Sequence, residues 1–596
     1  MARSIPVLGA DPPPDWPRTL HPRSIAVLGW ARLSLGAREG SGYNLSASEL
    51  AAGLAMSGHR VFYLRSGMYY STRPGMGLRR TEHWRGIECF ELRNSPNLSP
   101  AAANFRNLRA ELSHRGQTRL VLAWLNRVGA EIVHVHSLEG CPFDLIPAIR
   151  GTGRPVVVTP HNYWFVCPQV DLLHKEISLC RDYEGGRKCE GCLNAGAPRL
   201  VRLKRAAVQS SERLLGSGVV HWARWVAGAP ARRREASKEA GKREVRLDPE
   251  LASGFDAGPT ADPRIVHDLG REPEPPLPLA PVLARDENER FLASDVHLKV
   301  LNGSIYGERR LAGVRALNAA SLVIPPSDFL RRAHVAMGVE EARTRVVRLG
   351  QPHFDQIHRR AVRSPFYAER PWTARTTERP LRFAFLGVTR ANKGLDVLVR
   401  AIEGLDPNVR RRCQVLIRAG GWDWPFRRRL AAYPEVQFAG GYDLIQLLAA
   451  AGEYDVGIVP HIWFENSPLV LLEHLHAGKF VITSRLGGPP EWIIEPGQSR
   501  EYPLGNGLMV AGGDPADLAS AMASLVRGEF ELPSAREVHD ATPHLVSYPD
   551  HVREIEGAYN GLLSRPGRGV GTLTSGALSA ASPGPPSKMA PASGLG

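Results

Sequence analysis

The chain has 596 residues, more than one hydrophobic core usually holds, so two domains with additional segments are expected. Hydrophobic residues make up 43% and charged residues 23%, which excludes a wholly disordered chain and confines disorder to local segments. A net charge of +15 favours anionic partners (nucleotide phosphates, acidic lipid headgroups or nucleic acid) without choosing among them.

Residues 1–21 read as an extension without the apolar core and small-residue cleavage site of a secretory signal. No run of about 18 apolar residues occurs anywhere, so a cytoplasmic protein that does not span the membrane is expected. SIAVLGW at 24–30, the glycine-containing loop REGSGYN, the helically spaced SASELAAGLAMSGH and VFYL at 61–64 form a strand, loop, helix, strand unit. EIVHVHS at 131–137 and PVVVTPH at 155–161 read as further buried strands ending in polar residues. The N-terminal Rossmann-like domain therefore spans 22–195 and resumes over 299–372, where RRLAGVRALNAASLVIPPSDFL reads as a helix and a strand.

Within 22–195, Cys167, Cys180, Cys189 and Cys192 follow C-x12-C-x8-C-x2-C. Four thiolates in one loop suit a structural zinc ion; unligated thiols and an iron–sulfur cluster stay open beside it. Residues 196–298 read as an insertion, first arginine- and tryptophan-rich, then rich in proline and charge. Its basic part, around 199–234, suits either an anionic membrane face or a solvated helix. No recognised nucleic-acid-binding module accompanies the charge.

The strand grammar restarts at RFAFLGV (382–388) and continues through CQVLIRAG (413–420), VQFAGG (436–441), DVGIVP (455–460) and KFVITS (479–484), alternating with helical stretches. A second Rossmann-like domain over 373–545 follows, with a C-terminal helix at 546–563 and a disordered tail at 564–596. Ligands are expected outside the carboxyl ends of these strands or between the domains.

The stretch WFENSPLVLLEHL places Glu465 and Glu473 eight positions apart. Ser467 reads as an N-cap and Pro468 as the first helical residue, with the helix stopping near Gly478. The free amides of its first turn, Leu469 and Val470 among them, form an anion site suited to a diphosphate. Glu473 inside the helix suits ribose hydroxyls, and Glu465 in the loop suits the group beyond the phosphates. In FAFLGVTRANKG, Gly387, Arg390 and Lys393 lie between strand and helix, where a lysine holds a phosphate and an arginine adds a guanidinium fork. In RLGGPPEWI the paired glycines are expected to let backbone approach a ligand.

These motifs, with GLMVAGGDPADLASAM after them and SIAVLGW…EGSGYNLSASELAAGLAMSGHRV, HVHS and VVVTPHNYW before them, resemble the retaining family 4 glycosyltransferases of the GT-B fold. The resemblance implies two Rossmann-like domains facing a cleft. It puts Glu465 and Glu473 on the family's E-x7-E pattern, the first contacting the donor sugar and the second the ribose. It further implies that His161 approaches the transferred sugar, that Gly40 and Gly42 approach the diphosphate and acceptor, and that Lys393 binds phosphate. Val388 stands where the family often has an arginine, leaving Arg390 as the substitute to test. The implied reaction moves a sugar from a nucleoside diphosphate sugar to an acceptor hydroxyl with retention, needs no catalytic metal, and serves polysaccharide or glycoconjugate synthesis. The implied acceptor is a glycan or a lipid-linked one; were the basic stretch to meet an anionic membrane, the enzyme would be peripheral on its inner face. The competing readings are a glycosidase using the paired glutamates and a non-catalytic binding or scaffold protein on the same fold.

Overall fold

The computed structural model describes residues 16–100, 108–192, 282–375 and 377–564, with six isolated residues between 203 and 214. Apart from those six, the basic part of the insertion lies outside the described residues, as do the first fifteen residues and the tail from 565.

Two parallel sheets carry the molecule, because most of its strands are apolar on both faces and must be covered by crossover helices. In the N-terminal domain these are β1 (Ser24–Gly29), α1 (Ser41–Met56), β2 (Arg60–Tyr69), β3 (Gly77–Trp84), β4 (Ile87–Arg93), α2 (Arg115–Val128), β5 (Ile132–Val135), α3 (Leu145–Arg150) and β6 (Val156–Val158). A two-stranded ribbon, β7 (Leu173–His174) with β8 (Ser178–Leu179), follows within the cysteine-bearing loop. Then come α4 (Glu287–Leu292), α5 (Ile305–Ala319), β9 (Leu322–Val323), α6 (Asp328–Ala336) and α7 (Pro352–Val362). The strand order is β3-β4-β2-β1-β5-β6-β9, parallel except for the β3–β4 hairpin, which the sequence reading does not anticipate.

The C-terminal domain comprises β10 (Leu381–Val388), α8 (Leu395–Gly404), β11 (Cys413–Gly420), β12 (Val436–Phe438), β13 (Val456–Val459), α9 (Leu469–His476), β14 (Phe480–Ser484), β15 (Gly507–Val510) and α10 (Pro515–Arg527). Its order, β12-β11-β10-β13-β14-β15, is the doubly wound 3-2-1-4-5-6 arrangement, and every pairing is parallel. The order reverses between β10 and β13, so the loops leaving those strands open the crevice where such folds bind ligands. Local chemistry agrees with the elements: Asp514 caps α10 by accepting from the Ala516 and Asp517 amides, Pro515 opens the helix, and left-handed Gly528 closes it.

The expected GT-B architecture of two Rossmann-like domains is present. A last helix, α11 (Tyr548–Leu563), crosses back to the N-terminal domain. There Tyr548 donates to the Glu49 carbonyl at 2.6 Å, and Tyr559 hydrogen-bonds His134 Nδ1 at 2.5 Å. The domains also share apolar packing, since Trp463, Phe464 and Leu486 of the C-terminal half lie in the N-terminal core with Tyr163, Phe291 and Phe329.

Residues 282–298 are the described end of the segment read as an insertion, 196–298. They form α4 and a following 3-10 turn, with Leu283 and Phe291 buried, and they pack between the two domains.

Candidate functional site

The C-terminal wall of the crevice is built by two loops locked to each other. After β10, Gly394 adopts φ +74°, and a Cβ there would sit 1.8 Å from the Pro460 carbonyl oxygen, so only glycine lets the loops close. The Ile462 amide donates to the Asn392 carbonyl at 3.1 Å across the same seam. This docking brings Lys393, after β10, to Glu465, after β13. Lys393 Nζ donates to Glu465 Oε2 at 2.5 Å and lies 5.2 Å from the centre of the Trp463 ring. Trp463 Nε1 donates to the same oxygen at 3.0 Å, and the Asn466 amide reaches Oε1 at 3.3 Å. Both oxygens of the Glu465 carboxylate are therefore engaged by the protein.

The paired glycines of RLGGPP correct the expectation placed on them. A Cβ on Gly487 would lie 2.1 Å from the Glu465 carbonyl oxygen, and one on Gly488 would lie 1.9 Å from that of Asn466. The Gly488 amide donates to the Glu465 carbonyl at 2.7 Å. The close approach serves the backbone that carries Glu465, not a ligand directly.

Helix α9 also starts one residue later than read. Pro468 is its N-cap, extended at φ −67° and ψ 122°, and Ser467 makes no cap bond. The Ser467 hydroxyl is instead buried without a hydrogen-bond partner in the protein, and so are Asn466 Oδ1 and Glu473 Oε2. Three polar atoms without partners thus lie between Asn466, just before α9, and Glu473 in its second turn, and the leading amides of the helix, including those of Leu469 and Val470, have no acceptor within it. Glu473 keeps one partner: His353 Nε2, from α7, lies 3.2 Å from its Oε1.

The N-terminal wall is a row of rings. His136, following β5, hydrogen-bonds His161 Nε2 through Nδ1 at 2.9 Å, and the two rings stack with centroids 5.2 Å apart. His134 stacks on His136 at 4.2 Å, and Tyr43 of α1 meets His161 edge-on at 5.7 Å. Burial first, then His551, lowers His161 to about 3, and burial, with the other histidines, holds His136 well below its usual value. Both rings are neutral at neutral pH.

The walls touch. Asn466 Nδ2 donates to the His161 carbonyl at 2.5 Å, and Tyr163 donates to the Phe464 carbonyl at 3.0 Å. Gly40 caps α1 in a left-handed conformation. A Cβ on Gly42 would lie 3.1 Å from Leu469 Cδ1, which puts the start of α1 against the start of α9. The structure therefore brings Glu465, Lys393, His161, Ser467, Leu469 and Gly42 to one crevice.

Arg390 and Val388 are exposed at the rim. Arg390 also lowers the Asp171 carboxyl, which burial pushes up to about 7. Gly387 is half-buried and lets no foreign backbone close in; a Cβ there would meet only the Phe385 ring at 3.4 Å.

The four loop cysteines are free thiols, with Cys167 and Cys189 buried. Cys192 Sγ accepts from the Lys175 amide at 3.3 Å, and the Cys180 amide donates to the Leu172 carbonyl at 2.7 Å, so both border β7. Among the described residues, no group of three or more His, Cys, Asp or Glu side chains is placed to hold a metal ion.

His353, Trp463 and Asn466 were not assigned roles from sequence. Asn466 and Trp463 flank the recognised glutamate and are legible by proximity, whereas His353 comes from α7 and carries no local signal.

Residues 380–528 match a family model described as glycosyl transferases group 1. No curated protein matches the sequence. Similar solved structures include a sucrose-phosphate synthase from Thermosynechococcus elongatus, at 15% identity and a TM-score of 0.47 over 91% of this chain and 99% of that one. Anabaena HepE in complex with UDP and glucose aligns at 11% identity and 0.45, over 90% of this chain and all of that one (100%). An alpha,alpha-trehalose-phosphate synthase (UDP-forming) from Burkholderia xenovorans aligns at 12% identity and 0.45, over 90% and 100%. At these TM-scores the likeness adds nothing to the fold read from the strand order. Among the described residues, no helix is long and apolar enough to cross a membrane.

Proposed function

We propose that the protein is a retaining glycosyltransferase that moves a sugar from a nucleoside diphosphate sugar to an acceptor hydroxyl, in the synthesis of a polysaccharide or other glycoconjugate. The observation that carries this reading is the run of buried atoms without partners, Asn466 Oδ1 and Ser467 Oγ just before α9 and Glu473 Oε2 in its second turn, after the switch-point strand β13. Buried polar atoms without partners are costly. A nucleoside diphosphate supplies what two of them lack: phosphate oxygens for the Ser467 hydroxyl, as for the helix amides, and ribose hydroxyls for the free oxygen of Glu473. The family match over 380–528 supports the same half of the chain as the donor-binding half.

In the reaction the bond from the anomeric carbon to the diphosphate breaks, and its electron pair leaves with the phosphate. The acceptor oxygen bonds to that carbon, and its proton passes to the departing phosphate oxygen. Negative charge grows on the diphosphate, where Lys393 and the α9 amides stabilise it. Because Lys393, Trp463 and the Asn466 amide already hold both oxygens of Glu465, that carboxylate is better suited to orienting the sugar than to attacking it. This favours departure and attack on the same face. Neutral His161 is suited to hydrogen bonding rather than to carrying charge.

Thermal denaturation of wild type and Glu473→Ala against UDP, GDP, ADP and their sugar conjugates tests the donor site. A ligand at about 100 times its dissociation constant adds roughly 2.7 kcal/mol, and the mutant should lose most of that gain. No stabilisation of folded wild type by any nucleotide would overturn the reading in favour of a non-catalytic scaffold. Anomeric configuration of the product by NMR tests retention.

A further inference from the structure

The segment that follows the insertion lies outside both sheets, yet it holds the site together. The Leu283 amide donates to the Gly512 carbonyl at 2.9 Å, and Arg285 reaches Asp517 at 3.0 Å, so its beginning is tied to the C-terminal domain. Its middle is tied to both domains. Glu287, 1% exposed, receives both Nε and Nη2 of Arg181 from the cysteine loop. Phe291 packs on Phe464, the residue before Glu465, with ring centroids 4.4 Å apart. Between them Asn288 makes a two-way bond with one residue: its Nδ2 donates to the Gly487 carbonyl at 2.8 Å, and its Oδ1 accepts from the Gly487 amide at 2.7 Å.

Gly487 is the residue whose backbone lies directly behind Glu465. Its φ of +75° and its closeness to the Glu465 backbone leave no room for a side chain, so the register of Gly487 sets that of the Glu465 peptide. The side-chain amide of Asn288 satisfies both backbone groups of Gly487 as a neighbouring strand would.

We propose that Asn288 is a positioning residue for the Glu465 carboxylate, and that residues 282–292 form a strap through which the N-terminal domain sets the sugar-binding side of the crevice. The catalytic part of this inference rests on the donor-site reading above; the positioning part does not. Loss of Asn288 should loosen the 463–467 and 485–489 segments while leaving the α9 amides and Glu473, which face the nucleotide, in place.

The test compares wild type, Asn288→Ala and Asn288→Asp as full chains. Asp keeps the acceptor for the Gly487 amide but sets an oxygen against the Gly487 carbonyl, so an intermediate effect is expected. Without ligand, amide exchange of 463–467 and 485–489 should rise about tenfold or more in Asn288→Ala, with the sheets unchanged. Unchanged exchange in both segments, or faster exchange spread over the whole domain in both variants, overturns the proposal whether or not any nucleotide binds.

With UDP, GDP or ADP, whichever stabilises wild type, affinity should fall no more than a few-fold, since Ser467 ends the loosened segment, while kcat with the matching nucleotide sugar falls about tenfold. A loss confined to nucleotide affinity overturns the positioning role. If wild type binds none of the three, the donor-site reading fails, and the exchange result alone still decides whether Asn288 holds the Glu465 loop.

Discussion

The two walls of the crevice are built from opposite materials. The N-terminal wall is a row of neutral rings, His134, His136, His161 and Tyr43, each packed on the next. The C-terminal wall is ionic and polar: a Lys393–Glu465 pair, then three buried polar atoms without partners. The first wall has one buried polar atom without a partner, His136 Nε2, and rings of this kind can shape a site without adding charge to it. The second is partly satisfied, with one hydroxyl and two acceptor oxygens left without partners. On the proposed function, the first wall would exclude and orient, and the second would bind and stabilise charge.

Acid should act on the first wall and on His474 and His476 of α9, which burial likewise lowers to about 3, and this is the largest effect expected. His134 and His161 sit at about 3 and His551 at about 4, in each case mainly through burial, against 6.5 in the unfolded chain. The unfolded state therefore binds protons that the native state refuses as pH falls from 6.5 towards 3. Stability should be flat above about pH 7.5 and drop by up to roughly 1.4 kcal/mol per pH unit for each such histidine below 6.5. Urea denaturation from pH 8 to 5 checks this; equal stability at both ends would mean that the rings charge within the fold.

Breaking the second wall at its seam comes next. Gly394→Ala combines a left-handed backbone with a clash on the Pro460 carbonyl, for an expected loss of about 3 kcal/mol or more. Below that, Glu465→Gln leaves Lys393 against a neutral amide and should cost about 1–3 kcal/mol. Glu473→Gln, by contrast, should change stability by less than about 1 kcal/mol, because one of its oxygens has no partner to lose, yet weaken nucleotide binding by roughly tenfold or more. Denaturation and calorimetry on the two glutamine variants separate a carboxylate that serves the fold from one that serves a ligand. Matching losses in both would erase the distinction.

How much of this was legible from sequence differs between the walls. β11 coincides with the segment CQVLIRAG, and β10, β13 and β14 fall within a residue of their apolar runs, because strands buried on both faces leave short uninterrupted signals. The switch-point position of Lys393 and Glu465 followed from those runs. Their pairing did not, because it depends on Gly394 meeting Pro460 across 66 residues. The β3–β4 hairpin escaped because β3, GLRRTEHW, is largely polar and lies at the sheet edge. The role of Asn288 was hidden in a charged stretch, since its partner is a backbone 199 residues away.

The smallest effect probes the point where the walls meet. Gly42 lies in the second position of α1, and its absent Cβ would approach the tip of Leu469, a side chain with room to rotate, at 3.1 Å. Gly42→Ala therefore has two opposed consequences. Replacing glycine in a helix favours folding by up to about 1 kcal/mol, with less benefit near an end. The added methyl also presses Leu469 towards the first turn of α9, where the diphosphate would sit. Stability should rise slightly, and nucleotide affinity should fall a few-fold, opposite signs from one methyl group. Calorimetric titration beside thermal denaturation of the same variant reads both. If stability and affinity move together, Gly42 serves only the packing of α1, and the contact with Leu469 is not part of the donor site.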